Sequence, residues 1–235
     1  MNKPQSQKIN IAYFSDVLCV WAYIAQARLD QLRKDFSDKI NLSCHYVSIF
    51  GDTYNKIENN WQDKGGFNGY REHIEKVCQQ YDFVSLHSDT WSVARPRSSM
   101  SCHLFLKAIE LIQQQEPSIY SGVYGRTLVE ECAWQMRLAF FRDGRDIAQY
   151  EEQIRIAEKL SIPIPKLEKI LHDGTAYAQL SNDFELKDQL TIMGSPTFVL
   201  NEGRQKLYGN VGYRIIEANI LELLETPTST QASWC

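Results

Sequence analysis

Residues 8–36 read KINIAYFSDVLCVWAYIAQARLDQLRKDF, and the change of rhythm inside that stretch decides the fold. From Lys8 to Phe14 apolar and β-prone residues alternate, which predicts a strand. Ser15-Asp16 interrupts it. From Val20 to Phe36 the apolar positions Ile24, Ala27, Leu29 and Leu32 fall at helical spacing. The chain therefore opens strand, short turn, helix, with Cys19 at the turn. Ile40 to Phe50 (INLSCHYVSIF) alternates again and predicts a second strand. A strand-helix-strand unit of this length implies a parallel pair with a right-handed crossover.

The far end of the chain returns to the short period. Thr197 to Leu200 predicts a strand, Asn201-Glu202-Gly203 a tight turn, and Gln205 to Tyr208 a return strand, which together make a hairpin. Ile215 to Leu224 predicts a closing helix. Between the two ends, helical spacing covers Tyr70–Tyr81, Ser101–Gln115, Gly125–Phe141, Ile147–Leu160, Pro165–His172 and Thr175–Leu190. Gly51 to Gly69 reads as a loop. It has Gly65-Gly66 and Gly69 but no GxxxxGK[ST] pattern, so a phosphate loop is not supported.

Composition narrows the function classes. Hydrophobic residues make up 43% of the 235, enough to build a core and to exclude a disordered chain. Lys and Arg total 25 against 29 for Asp and Glu, so the basic surplus of a general nucleic-acid binder is absent. The longest apolar run, Val17 to Ala25, is far short of a membrane span. The opening MNKPQSQKIN has no apolar core of a signal peptide, and a cytoplasmic location is expected.

The six cysteines, at 19, 44, 78, 102, 132 and 235, form no close pair, which argues against a zinc ribbon or a disulfide scaffold. Cys44-His45 and Cys102-His103 are adjacent in sequence, and neighbours on a strand or helix diverge, so no metal is expected. Cys235 reads as an exposed tail thiol or as a mobile resolving thiol.

Cys19 is the candidate nucleophile. A sulfur at a helix start meets free amide N–H groups and the positive end of the helix dipole, which predicts a pKa below the ordinary thiol value. The alternative at this point is a buried core cysteine, since VLCVWAYIA is apolar throughout. Asp16 either orients backbone at the turn or caps the helix. Trp21 is a wall of the site or core packing. Arg95 and Arg97 flank Pro96 ahead of a helix with Ser98 or Ser99 as cap. If the helical block closes over Cys19, Arg97 and Ser99 bind a carboxylate; otherwise they are a solvated loop and a cap. His103 lies one helical turn further on.

Two motifs together carry a resemblance: SDVLCVWAY at residues 15–23 and GSPTFVL at residues 194–200. With Arg97-Ser98-Ser99 to His103 and the FFRDGRDI stretch at residues 140–147, the chain resembles the DsbA-like thioredoxin superfamily. It is most similar to the branch holding FrnE, 2-hydroxychromene-2-carboxylate isomerase and kappa-class glutathione transferases. The resemblance implies an α/β thioredoxin fold with a large all-helical insertion. Residues 1–65 and 181–226 would form the thioredoxin-like domain, 66–180 the helical cap, and 227–235 a flexible tail.

It also implies a cis bond at Ser195-Pro196 facing the Cys19 turn, with Ser195 backbone, Pro196 and Thr197 available to a peptide or glutathione that adds as a strand. The oxidoreductase branch carries CPWC at this turn, and here the residues are Cys19-Val20-Trp21-Ala22. Ala22 has no sulfur, so a local disulfide is ruled out. The leading expectation is a cytoplasmic oxidoreductase using Cys19 alone, with no tightly bound cofactor and glutathione as co-substrate. The alternatives are a glutathione-dependent isomerase or transferase, and a peptide-binding module without chemistry. Partners would be a small-molecule thiol or a protein thiol, not nucleic acid or membrane, with a homodimer left open.

Overall fold

The computed structural model describes residues 8–117, 122 and 125–225. Four strands form one sheet: β1 (Ile9–Ser15), β2 (Ile40–Tyr46), β3 (Thr197–Leu200) and β4 (Gln205–Tyr208), in the order β2-β1-β3-β4. The β1–β2 pair is parallel and the pairs β1–β3 and β3–β4 are antiparallel. Helix α1 (Val20–Phe36) supplies the crossover between β1 and β2. Among the described residues, six α-helices lie between β2 and β3: α2 (Gly66–Cys78), α3 (Met100–Gln115), α4 (Leu128–Arg137), α5 (Tyr150–Lys159), α6 (Ile164–His172) and α7 (Thr175–Gln189). Helix α8 (Tyr213–Glu225) closes the described chain. The tail residues 226–235, Cys235 included, lie outside the described residues.

The alternation read in β1 sorts its side chains between two faces. Ile9, Ile11 and Tyr13 pack with Leu29, Leu32 and Phe36 of α1 and Ile216, Ile220 and Leu223 of α8. Phe14 turns the other way, onto Val47, Ile192 and Val199. The third cluster joins the inserted helices to the β1–α1 turn: Val17, Leu18, Val20, Ala22 and Ile24 are buried with Phe105, Ile109, Met136 and Phe140. The turn that carries Cys19 is therefore part of the helical block's own core.

Charges tie the same parts together. Lys107 of α3 is 1% exposed and pairs with Asp183 of α7 and with Glu110. Arg126 reaches Asp30 of α1 and Glu131 of α4. A buried charge persists only when paired, so these contacts fix how the elements meet.

Several boundaries differ from the sequence reading. The strand expected through Phe50 ends at Tyr46, because the backbone beyond it is committed elsewhere: Ile49 N–H bonds Val47 and Phe50 N–H bonds the Asp16 carboxylate. The segment expected as loop holds a π-helical turn, Tyr54–Asn59, and a 3-10 turn, Gln62–Lys64, and α2 begins at Gly66. There Ile57 and Phe67 are buried, which gives the turns an apolar anchor that period counting over a Gly-rich stretch does not register. Helix α4 starts at Leu128 instead of Gly125 because Thr127 and Glu130 form a reciprocal capping box. Helix α7, Thr175–Gln189, ends within one residue of the helix read from sequence.

Gly69 is required by a close approach: a Cβ there would lie 1.6 Å from the Lys64 carbonyl oxygen. At Gly212 a Cβ would meet nothing within 4 Å. Gly69→Ala should lower unfolding free energy by about 3 kcal/mol, the upper end for overpacking, while Gly212→Ala leaves it within about 0.5 kcal/mol. Urea denaturation of the two variants checks this, and equal stabilities would contradict the crowding at residue 69.

Candidate active site

The site is built on a carboxylate that water does not reach. Asp16 is fully buried immediately after β1. Its Oδ1 accepts from Leu18 N–H at 2.9 Å, closing a local turn two residues on. Its Oδ2 accepts from Phe50 N–H and from Ser99 Oγ, each at 2.8 Å. The Asp16 N–H donates to Ser195 Oγ at 2.9 Å. The His103 ring completes the enclosure, with Nε2 3.6 Å from Asp16 Oδ1 and accepting from Val17 N–H at 3.3 Å. Of the two roles open to Asp16 from sequence, it orients backbone and does not cap α1.

This enclosure sets the position of Cys19, which precedes the first residue of α1 and is 5% exposed. The Cys19 Sγ donates to the Ser195 carbonyl at 3.2 Å. The Ser195–Pro196 peptide is cis. Ser195 thus grips the turn twice, by its hydroxyl at Asp16 and by its carbonyl at Cys19. Thr197 opens β3 and ties itself back through Oγ1 to the Gly194 carbonyl at 2.8 Å. Among the described residues no hydrogen bond uses the Ser195 N–H. Gly194 has no room for a side chain, since a Cβ would lie 2.6 Å from the Tyr208 ring. Tyr208 and Met193 are exposed beside this segment.

Burial pushes the Cys19 thiol up, with the Ser195 side chain and the Ala22 and Trp21 N–H groups acting the other way. The expectation of a lowered pKa is therefore corrected. The helix-start amides act on the sulfur as anticipated, but the apolar packing of the turn outweighs them. Asp16 goes in the opposite direction. Burial pushes its carboxyl up, yet the neighbouring His103 and the Phe50 and Leu18 N–H groups hold it below the usual carboxylate range.

The other residues singled out from sequence separate into two groups. Trp21 is half-buried and packs against the helical cluster. Ser99 does bind a carboxylate, but it is the protein's own Asp16, while Ser98 Oγ takes the local bond from Met100 N–H at the start of α3. Arg97 is not brought to Cys19. Its guanidinium sits 4.2 Å over the Tyr54 ring and 3.6 Å from Asp52, with the side chain 67% exposed. Sequence reasoning missed the convergence of Asp16, His103, Phe50 and Ser99. The pattern Asp16-Val17-Leu18 directly after a strand, which suits an Asx turn, was the one local signal for it.

The sequence matches the model of the DSBA-like thioredoxin domain over residues 10–220. Among proteins of curated function, none matches the chain in sequence. A probable DsbA oxidoreductase from Streptomyces coelicolor is similar in structure, with 15% identity, a TM-score of 0.70, and 97% of this chain and 94% of that one covered. The cytosolic disulfide reductase DsbM from Pseudomonas aeruginosa is 17% identical at a TM-score of 0.66, covering 91% of this chain and 99% of that one. A 2-hydroxychromene-2-carboxylate isomerase is 16% identical at a TM-score of 0.59, covering 95% and 100%. These likenesses are of fold.

Two outcomes follow from the burial. The rate of Cys19 alkylation by iodoacetamide should be low at neutral pH and still rising past about pH 9, because only the thiolate reacts; a plateau below that pH would contradict the raised pKa. Asp16→Asn turns one acceptor oxygen into an amide NH2, which leaves Leu18 or Phe50 N–H without its acceptor, and should destabilise by about 3 kcal/mol at neutral pH. A carboxyl whose folded pKa is depressed adds stability above its unfolded value of 3.8, and that stability is lost as pH falls through the folded value. The deficit of Asp16→Asn should therefore shrink below that pH in urea titrations, and a deficit constant with pH would show that its charge plays no part.

Proposed function

The chain belongs to the DSBA-like thioredoxin domain family, and from that premise we propose that it is a cytoplasmic oxidoreductase that uses Cys19 alone for thiol–disulfide or glutathione-linked chemistry. The observation that carries this reading is the pairing of Cys19 Sγ with the Ser195 carbonyl at 3.2 Å, where the residue one helical turn on is Ala22. With no sulfur at position 22, a mixed disulfide formed on Cys19 is resolved by a second external thiol.

Reaction begins when Cys19 loses its proton, at which point the Ala22 and Trp21 N–H groups favour the thiolate. The thiolate attacks one sulfur of a disulfide such as oxidised glutathione. An S–S bond forms to Cys19, the substrate S–S bond breaks, and the departing thiolate takes up a proton. The free Ser195 N–H offers a donor to the backbone of the bound thiol, and Trp21 and Thr197 are assigned to the same ligand. No resident cofactor is required.

A second reading is a glutathione-dependent isomerase or transferase, in which Cys19 keeps its proton and donates it as a hydrogen bond to a glutathione thiolate. The raised Cys19 pKa favours this role. DsbM, a cytosolic disulfide reductase of the same fold, has been solved with GSH, which suits either reading. A non-catalytic peptide-binding module is the third.

Mass spectrometry after incubation with oxidised glutathione separates them. The proposal expects one added glutathione, mapped to Cys19, absent in Cys19→Ser and released by reduced glutathione. Tight binding of reduced glutathione without an adduct would replace it by the isomerase or transferase reading. Neither adduct nor binding would leave the binding module.

A further inference from the structure

On the face of the sheet near α7, three side chains meet that the Cys19 chemistry does not use. Ser43 and His45 are two residues apart on β2 and so point to the same side. Ser43 Oγ lies 2.9 Å from His45 Nε2, and His45 Nδ1 lies 2.8 Å from Asp183 Oδ1. We propose that Ser43, His45 and Asp183 form a second, hydrolytic site that cleaves carboxylic esters with an aliphatic acyl group.

The three residues have the order of contacts that nucleophilic serine chemistry needs: hydroxyl to Nε2, and Nδ1 to a buried carboxylate. Their support is equally specific. Asp183 is 2% exposed and its Oδ2 is held by Tyr46 N–H and Lys107 Nζ, both at 2.8 Å. Its Oδ1 is thereby aimed at His45. The imidazole is stacked on Phe14, ring centroids 4.9 Å apart, which fixes its plane. Ser43, by contrast, is exposed.

Ser43 and His45 open into a groove of about 540 Å³ between the sheet and α7. That is within the size range of small-molecule sites. Ala12, Leu186, Leu190 and Val199, which pack together on this face, give it an apolar lining suited to an acyl chain, and Asn41 and Gln189 line the same groove. In the reaction, Ser43 Oγ forms a bond to the ester carbonyl carbon while His45 Nε2 takes the hydroxyl proton. The carbon–alkoxy bond breaks and His45 returns the proton to the departing alcohol. Water, deprotonated by His45, then cleaves the acyl-serine to the carboxylic acid and restores Ser43. No oxidant or metal enters.

The experiment uses the full chain carrying Cys19→Ser, so that thiol esterolysis is removed, with p-nitrophenyl butyrate as substrate and a fluorophosphonate as covalent probe. The expected results are hydrolysis above the buffer rate and a probe adduct mapped to Ser43. Adding Ser43→Ala or His45→Gln should lower hydrolysis at least about a hundredfold and abolish the adduct. Ser43 is exposed, so Ser43→Ala should melt at an unchanged temperature, which separates lost chemistry from lost fold. No adduct at Ser43, or hydrolysis unaltered by Ser43→Ala, would overturn the proposal. The outcome is independent of the Cys19 reading, which glutathione adduct formation on the chain with Cys19 intact reports.

Discussion

Everything around Cys19 depends on one buried anion. The Asp16 carboxylate collects Leu18 and Phe50 N–H and the Ser99 hydroxyl, with His103 beside it. Hydrogen bonds to a charged acceptor contribute about 1.5–3 kcal/mol each. Removing a carboxylate from water costs several. The sum is close to balance, so the network adds little net stability, but it makes every other arrangement of its partners expensive. Those partners come from the β1–α1 turn, the segment after β2 and the start of α3. Asp16 therefore specifies how the inserted helices meet the sheet, and through its own N–H it also fixes Ser195.

The same burial that makes Asp16 a strong organiser restrains Cys19. A helix start in water would lower a thiol pKa, and the N–H groups that do so are present. They act inside the apolar cluster of Val17, Leu18, Val20 and Ala22, where an unpaired charge is costly. The resting sulfur keeps its proton on the Ser195 carbonyl. The chemistry proposed at Cys19 would thus require a partner that brings its own polar groups or displaces that hydrogen bond.

How much of this is legible in sequence varies with the range of the interaction. The alternation in residues 8–14 and the helical spacing after Val20 are local, and both elements form as read. The hairpin after Thr197 is local too, down to its turn at Asn201–Gly203. The segment 54–64 is less legible, because its turns depend on Ile57 and Phe67 finding an apolar pocket made by distant residues. In the site, Cys19 and Ser195 are separated by 176 positions and come together in the resemblance and in the structure alike. The role of Ser99 was not legible, since its hydroxyl looks like a helix cap until Asp16 is seen to be within 2.8 Å. Arg97 shows the converse: a conspicuous cation near a cap serine, drawn aside by Asp52 and Tyr54.

The two sites share one constraint, the register of β1. Phe14 stands opposite His45 on one side and opposite Thr197 on the other, and Ser15 stands opposite Tyr46. Side chains alternate faces with a period of two, so a slip of one residue would exchange them all. It would turn Phe14 off the His45 ring, loosening the Ser43 relay. It would also carry Asp16, the next residue but one after Phe14, out of reach of Phe50 and Ser195. Because Ile9, Ile11 and Tyr13 are buried against α1 and α8, such a slip would expose them as well. The hydrophobic alternation of seven residues thereby sets the geometry of polar groups on both sides of the sheet, and neither constellation needs a separate device to hold its distances.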